Sequence, residues 1–435
     1  MYRILFLLLL YSLPSIAKAN CPELAPYYLD DDADWSALEQ ELGALMPECL
    51  QSAEFFALYG AALLHSGQVP DAIESLERAL LLDPEQGAAQ IDYAQALFLQ
   101  GELFSALELN KRLLEREDLP ANLQPLIEQR QRNWQAMTSQ SSIQIDVLAG
   151  YDDNLNSAPD PSQITLTLSG EPVILSLNDE SRPVSGPYLN LRLAAGIKQL
   201  AADQQHNWTG ELRGRLSEHT DSDLVQLNGR YSYIRPSRDR NWQFDAGMSN
   251  LFFGGSPLFT GTETSARYQP KVSAACKPYS NLAVQHQHYY ERGSLNALET
   301  KASLGANCPM GSNSGNQLFS AEVAVLANQA LKSARPGGDR RGWQATLNWQ
   351  YISASGVFRA QMNHTQLNDR RGYSELLDNN AKRGLGSSYV LLQYRRPLRA
   401  DMALLVNLYH QRQRSNIELF QTVDTTFELG LSVAL

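Results

Sequence analysis

The chain has 435 residues, 43% hydrophobic and 19% charged, with a mean hydropathy of -0.33; this excludes a bundle of membrane helices and equally a mainly disordered polymer. Its 36 basic and 47 acidic residues exclude nucleic acid as a main partner, because phosphate binding needs a positive surface. The length allows two domains.

Arg3, the apolar run Ile4–Leu13 and the small-residue site Ala17-Lys18-Ala19 have the three zones of a secretory signal peptide, residues 1–19. The run is too short to cross a bilayer core, which takes about 20 helical residues. Export permits disulfides, and four cysteines allow three pairings. Cys21 with Cys49, both ahead of the first repeat, is the favoured pair. Cys276 and Cys308 fall at the ends of strands two apart, roughly 9 to 10 Å, which exceeds a disulfide's reach. Leaning turns, a free pair or a strand count off by one remain as alternatives.

Residues 20–140 hold 6 basic against 21 acidic residues, whereas the rest of the chain is nearly neutral. A domain boundary is therefore expected at the polar run Thr138–Ser142, with a helical domain at 20–138, a linker at 139–142 and a second domain at 143–435. A shift of 34 residues lays Gly67 on Gly101, Ala72 on Ala106 and Tyr59 on Tyr93. With Phe56, Gly60, Leu63, Ala72, Leu76, Ala79 and Pro84 at its signature positions, the first unit resembles the tetratricopeptide repeat. The second keeps Ala94, Leu97, Gly101 and Ala106 but has Asn110 and Leu113 where an aromatic and a small residue are usual. Helices near 34–45 and 123–137 are expected to cap the stack, since lone repeats cannot bury their apolar faces.

Beyond Ile143 the apolar period becomes two. Trp343, Ala345, Leu347, Trp349 and Tyr351 alternate with polar residues, as do Phe427, Leu429, Leu431 and Val433. Fourteen such segments start near residues 143, 186, 206, 224, 241, 262, 279, 297, 316, 342, 355, 387, 401 and 425. Long links at 152–185, 254–261, 331–341, 370–386 and 415–424 fall at one end and short links at the other, as in outer-membrane barrels. A soluble sandwich explains the alternation but leaves that asymmetry accidental. The expected fold is α+β in two domains: an N-terminal all-α tetratricopeptide-like repeat and a C-terminal 14-stranded antiparallel transmembrane β-barrel. Tyr188, Trp208, Tyr289, Tyr290, Tyr351 and Tyr409 are expected in its two aromatic girdles. The wet face carries Arg192, Arg213, Arg215, Arg230, Glu211, Asp245 and Glu428, and Glu428→Gln is expected to be mild.

No Walker loop, dinucleotide fingerprint, nucleophile elbow or His-Glu-x-x-His motif occurs. The reading is accordingly a non-enzyme with no catalytic residue, cofactor or metal. His286 and His288 share a strand face without a third ligand. Gly150-Tyr151-Asp152-Asp153-Asn154-Leu155-Asn156-Ser157-Ala158-Pro159 closes the first strand. It reads as a turn in which Asp and Asn bond their own backbone; the alternative is a cation held by Asp152, Asp153 and Asn154.

Signal peptide, helical repeat, that Gly150–Pro159 motif and a barrel together resemble the surface lipoprotein assembly modulator family, Slam, over nearly all of the mature chain. The resemblance implies an outer-membrane translocon of a Gram-negative bacterium with its helical domain in the periplasm. It would move surface lipoproteins or soluble haem- and iron-acquisition proteins to the cell surface without ATP, with periplasmic chaperones and the barrel assembly machinery as further partners besides the client and outer-membrane lipid. The first helices would then present Glu54, Ala61, His65, Gln95 and Phe98 to the client. An exopolysaccharide exporter with periplasmic repeats is the alternative.

Overall fold

The computed structural model describes residues 21–27, 34–312 and 315–435; the expected signal peptide lies outside them. The chain divides into two units that meet in sequence at Thr138 and Ser139. Among the described residues no helix is long and apolar enough to cross a membrane.

The first unit contains α1 (Trp35–Leu45), α2 (Ala53–His65), α3 (Val69–Leu82), α4 (Gly87–Gln100), α5 (Leu103–Leu114) and α6 (Gln124–Met137). Asp34 caps α1 by accepting from the Ser36 and Ala37 amides, and Ser52 caps α2 by accepting from Phe55. Such caps satisfy amides that have no partner within the helix. α4 stops at Gly101, whose φ of 93° is open to glycine and costly for residues with a Cβ. Small residues set the spacing between helices: a Cβ at Gly60 would lie 2.6 Å from Leu76 Cγ. Around that contact Leu42, Phe55, Ala62, Ala72 and Leu76 are fully buried. Each large side chain among them contributes about 2 to 3 kcal/mol. Cys21 and Cys49 form a disulfide on the edge of this core.

A second cluster joins Ala94, Ala106, Leu113, Ile127 and Trp134. The departure from the repeat signature at Asn110 has a physical cause here. Its fully buried amide donates to the Ile127 carbonyl and to Gln131, and its carbonyl oxygen accepts from Arg130 Nε at 2.6 Å. A polar residue at this position ties α6 to the stack.

The second unit begins with β1 (Ser139–Asp152), followed by a hairpin of β2 (Gln163–Leu168) and β3 (Glu171–Ser176). Then come β4 (Gly186–Leu200), β5 (Gln205–Ser217), β6 (Leu224–Pro236), β7 (Arg240–Phe253), β8 (Ser256–Pro270) and β9 (Lys277–Tyr289). β10 (Ala297–Ser312), β11 (Gly315–Ala330), β12 (Arg340–Ser353), β13 (Gly356–Asp369), β14 (Gly384–Pro397), β15 (Met402–Ser415) and β16 (Thr422–Ala434) complete it. All except the β2–β3 hairpin form one closed antiparallel barrel of 14 strands in chain order, with β16 returning to pair with β1. Closure leaves no exposed strand edge in the barrel.

Five features differ from the sequence-based expectation. Residues 139–142 are the first turnless stretch of β1, paired with β4 from Ser139↔Gln199 to Ser142↔Gly196, and are not a linker. The link expected at 254–261 is a tight Gly254-Gly255 turn. The long link after β1 contains the β2–β3 hairpin, turned at Ser169 and Gly170, both at positive φ. Cys276 precedes β9, not the end of the strand before it. Because Lys277 pairs with Asn307, Cys276 stands opposite Cys308 on adjacent strands, and the two are disulfide-bonded with Cα atoms 4.1 Å apart. Finally, of the six girdle aromatics, Tyr188, Tyr289 and Tyr409 lie on inward-facing positions, which leaves Trp208, Tyr290 and Tyr351 facing outward.

The outward face of the barrel is apolar over most of its strands. Leu429 and Leu431 are 46% and 44% exposed, and Val325, Trp343, Leu347 and Phe244 face out similarly. Charged and amide side chains fill the interior, the inverse of a soluble sandwich.

Candidate functional site

Strand register places Asp146 of β1, Arg192 of β4, Glu211 of β5, Arg230 of β6 and Asp245 of β7 on the inward face, and Glu428 of β16 with them. Arg192 is gripped from both sides, by Asp146 at 2.8 Å and Glu211 at 2.7 Å. Glu428 accepts from Tyr188 Oη at 2.8 Å, Asn190 Nδ2 at 2.6 Å and Asn407 Nδ2 at 2.8 Å. Glu428 is thus a three-way node that an amide could not reproduce, which reverses the expectation that Glu428→Gln is mild. On the opposite arc Glu322 binds Lys301 at 2.8 Å and accepts from Tyr279 at 3.0 Å.

A cavity of about 270 Å³ lies among inward side chains of β1, β4, β5 and β13 to β16, including Arg192, Arg213, Arg359, Arg395 and Glu428. Arg213, Arg359 and Arg395 form no ion pair within 4.0 Å among the described residues. A second internal cavity of about 550 Å³ is lined by Gln144, Arg230, Ser249 and Glu263 among others. The interior is therefore polar, with Arg192, Arg213, Arg359 and Arg395 set against Asp146, Glu211 and Glu428 around the smaller cavity, and crossed by hydrogen-bonded side chains.

The Gly150–Pro159 segment folds onto the strand ends at one end of this interior. Asp152 has no exposed surface, and its carboxylate meets Arg215 Nη1 at 2.6 Å. Arg215 Nη2 then donates to the Leu155 and Ser222 carbonyls. Asn154, also buried, donates to the Ala158 and Val423 carbonyls and accepts from the Ala158 amide. Leu155 is fully buried. Asn156 bonds the Arg182 carbonyl and the Val184 amide, which draws the far side of the same loop inward. Asp153 accepts from the Thr425 amide at 2.7 Å. Tyr151 faces outward and donates to Ser185 at 3.1 Å, and Pro159 ends the segment half-buried.

This arrangement supports the turn reading of the motif. Asp152, Asp153 and Asp424 bring carboxylate oxygens within 4.8 Å of one another. Asn154, however, spends its whole side chain on backbone groups, and Arg215 already supplies the counter-charge. The motif works as a loop anchor that joins β1, β5 and β16. His286 and His288 lie on the outward face of β9, where His288 Nδ1 meets Asn296 at 3.0 Å.

In the helical unit, Phe98 stacks on Trp134 at 4.8 Å and is half-buried beside α6. His65 is stacked on Trp35 at 4.2 Å. Glu54 is exposed, and Ala61 and Gln95 are half-buried. None of the five lines the groove the structure does contain. That groove, about 590 Å³, has an apolar floor of Met46, Phe56 and Leu63 and an acidic rim of Asp71, Glu74 and Glu77. The signal for it in the sequence was the three-residue acidic spacing on α3, close to one helical turn, set beside Leu50 and Leu81, which are 50% and 77% exposed. Nearby, burial chiefly, with Glu77 accepting its hydroxyl proton, pushes the Tyr93 phenol up to about 12.

The family comparison agrees with the helical unit. The tetratricopeptide repeat family matches residues 63–129. No curated protein matches the chain. Among solved structures, an anion-selective porin from Comamonas acidovorans is 11% identical, covering 68% of this chain and 99% of its own, at a TM-score of 0.38. A Pseudomonas aeruginosa FadL homologue is 10% identical over 68% of this chain and 90% of its own, at 0.35. The Yersinia enterocolitica type III secretion translocator chaperone SycD is 21% identical, covering 24% of this chain and 73% of its own, at 0.22. The chain thus joins tetratricopeptide-type helices to a closed 14-stranded antiparallel barrel.

Proposed function

We propose that this chain is an outer-membrane translocon that takes a client protein at its helical unit and conducts it through the barrel, as the resemblance to the Slam family implies. The observation that carries the reading is the inversion of the barrel: apolar side chains outward and a charged interior, on one chain with a peptide-sized groove. Strands of 13 to 16 residues exceed the roughly 9 to 11 a tilted strand needs to cross a bilayer. The acidic rim over an apolar floor suits a client segment that alternates basic and apolar residues. Passage requires the side chains that cross the interior, Arg192 and the Glu428 node, to move apart.

In cells lacking the chain, the client should stay inside and resist protease added from outside. Re-expression should restore its cleavage, and the Asp71→Asn/Glu74→Lys double variant should restore the barrel but not the client's display. Normal display in the deletion strain refutes the reading. Loss of a secreted polysaccharide with client display intact would favour polysaccharide export instead.

A further inference from the structure

The outward face of the barrel is not uniformly apolar. On β13, β14 and β15 it changes character at one level. Phe358, Ala360 and Met362 give way to His364, Gln366 and Asn368; Leu392 and Val390 to Ser388, Gly386 and Gly384; Leu404, Val406 and Leu408 to His410, Arg412 and Arg414. The three strands continue for three outward positions beyond the change, towards the end where the Gly150–Pro159 segment packs on the strands. On β4, β5 and β6 the outward face stays apolar further along, with Leu189, Leu216 and Val225 near the same end.

At the polar level lies a groove of about 870 Å³. Its floor is low because Gly384 and Gly386 project no side chain, and Arg412, Arg414, His410, His364 and Lys382 stand around it. The rim is fixed: Asn416 accepts from the Gly384 amide at 2.7 Å and donates to the Lys382 carbonyl at 3.1 Å. His364 and His410 are each held by a hydroxyl, of Ser388 at 2.7 Å and Thr425 at 3.0 Å. Asp369 is the one carboxylate lining the groove, and it is buried in ion pairs with Arg340 and Arg383. Among the described residues Arg412, Arg414 and Lys382 form no ion pair within 4.0 Å, and they project outward with exposed surface. Unpaired cations just beyond an apolar band, over a groove shaped by glycines, match a lipid whose chains lie along the band and whose anionic head reaches the groove.

We propose that this groove binds the phosphorylated headgroup of a membrane lipid. The proposal rests on the membrane placement of the barrel above, and the test separates the two. The full chain is reconstituted into phosphatidylcholine vesicles that contain either lipid A or dephosphorylated lipid A, floated, re-extracted in detergent, and the co-retained lipid counted per chain by mass spectrometry. Lipid A should be retained over its dephosphorylated form. Arg412→Gln/Arg414→Gln should cut that retention roughly tenfold or more, whereas Arg399→Gln, in the turn at the other end of the barrel, should not. Equal retention of both lipids, or no loss in the double variant, overturns the site while leaving a floated barrel in place. Failure to float with either vesicle overturns the membrane placement and the site together. Displacement of the lipid by millimolar inorganic phosphate assigns the groove to a free anion and overturns the lipid reading.

Discussion

Gly150 on β1 and Tyr188 on β4 stand directly opposite each other across the barrel wall, and the tyrosine ring occupies the space a side chain at 150 would need. A Cβ there would lie 2.5 Å from Tyr188 Cζ. Lying flat over the glycine brings the Tyr188 hydroxyl to Glu428. Gly150→Ala should displace the ring and cost about 1 to 3 kcal/mol, read as a lower unfolding midpoint of the reconstituted barrel. In a Tyr188→Ala background the same substitution should cost almost nothing, and a penalty that persists there would show that ring contact is not its source.

Arg215 makes a second prediction about the motif. Its partner Asp152 is completely buried, so removing the guanidinium leaves an uncompensated charge, a loss of about 3 to 5 kcal/mol. The same change frees the Leu155 carbonyl, so the 153–185 loop should loosen. Limited proteolysis of Arg215→Gln should cut within 153–185 where the parent chain resists. Asp152→Asn added to it should recover part of the stability, because it removes the stranded charge.

The sequence made the barrel legible where one face is greasy and the other wet. Phe427 to Val433 and Trp343 to Tyr351 alternate without interruption, so both strand position and facing could be read from them. Where a segment meets its partner on one side alone, or turns within a loop, the pattern fades. Ser139–Ser142 are all polar because only β4 pairs with them, and they read as linker. The β2–β3 hairpin carried a usable signal, Ser169-Gly170 between two alternating runs, but lay inside a stretch already read as loop. At the site, Asp152 and Asn154 were visible as a motif, whereas Arg215 comes from 63 positions away and nothing local marks it. The stacking of Phe98 on Trp134 of α6 was hidden for the same reason, because it is set by tertiary packing and not by the repeat's own spacing.

The facing of β16 can be tested by comparing one outward and one inward position. Leu431 is outward and 44% exposed, so Leu431→Asp should cost about 2 kcal/mol in lipid vesicles, where the carboxylate has no water. Glu428→Gln should cost about 1 to 3 kcal/mol in vesicles and in detergent alike, since an amide turns one of its three accepted hydrogen bonds into a donor clash. Arg213→Gln, inward but without an ion-pair partner, should be nearly neutral. If Leu431→Asp were as harmless as Arg213→Gln, the outward face would not be the lipid face.

The helical unit should respond to pH through Asp92 on α4. Burial pushes its carboxyl up to about 6, against the downward pull of the Arg130 guanidinium. The folded chain therefore takes a proton that the unfolded chain, at an ordinary carboxylate pKa, does not. The resulting gain in stability is full below about pH 4, where both forms hold the proton, and is lost progressively as pH rises from there through about 6, above which the charged group must stay in its half-covered position. Allowing for its partial exposure, the effect is on the order of 1 kcal/mol. Amide exchange in α4 and α6 of the full chain, corrected for intrinsic rates, should be slower at pH 5 than at pH 7.5. Asp92→Asn keeps the shape and removes the charge, so it should slow exchange at pH 7.5 and abolish most of the difference between the two pH values. A variant that exchanges like the parent at both would mean that this carboxylate is solvated well enough to keep its ordinary acidity.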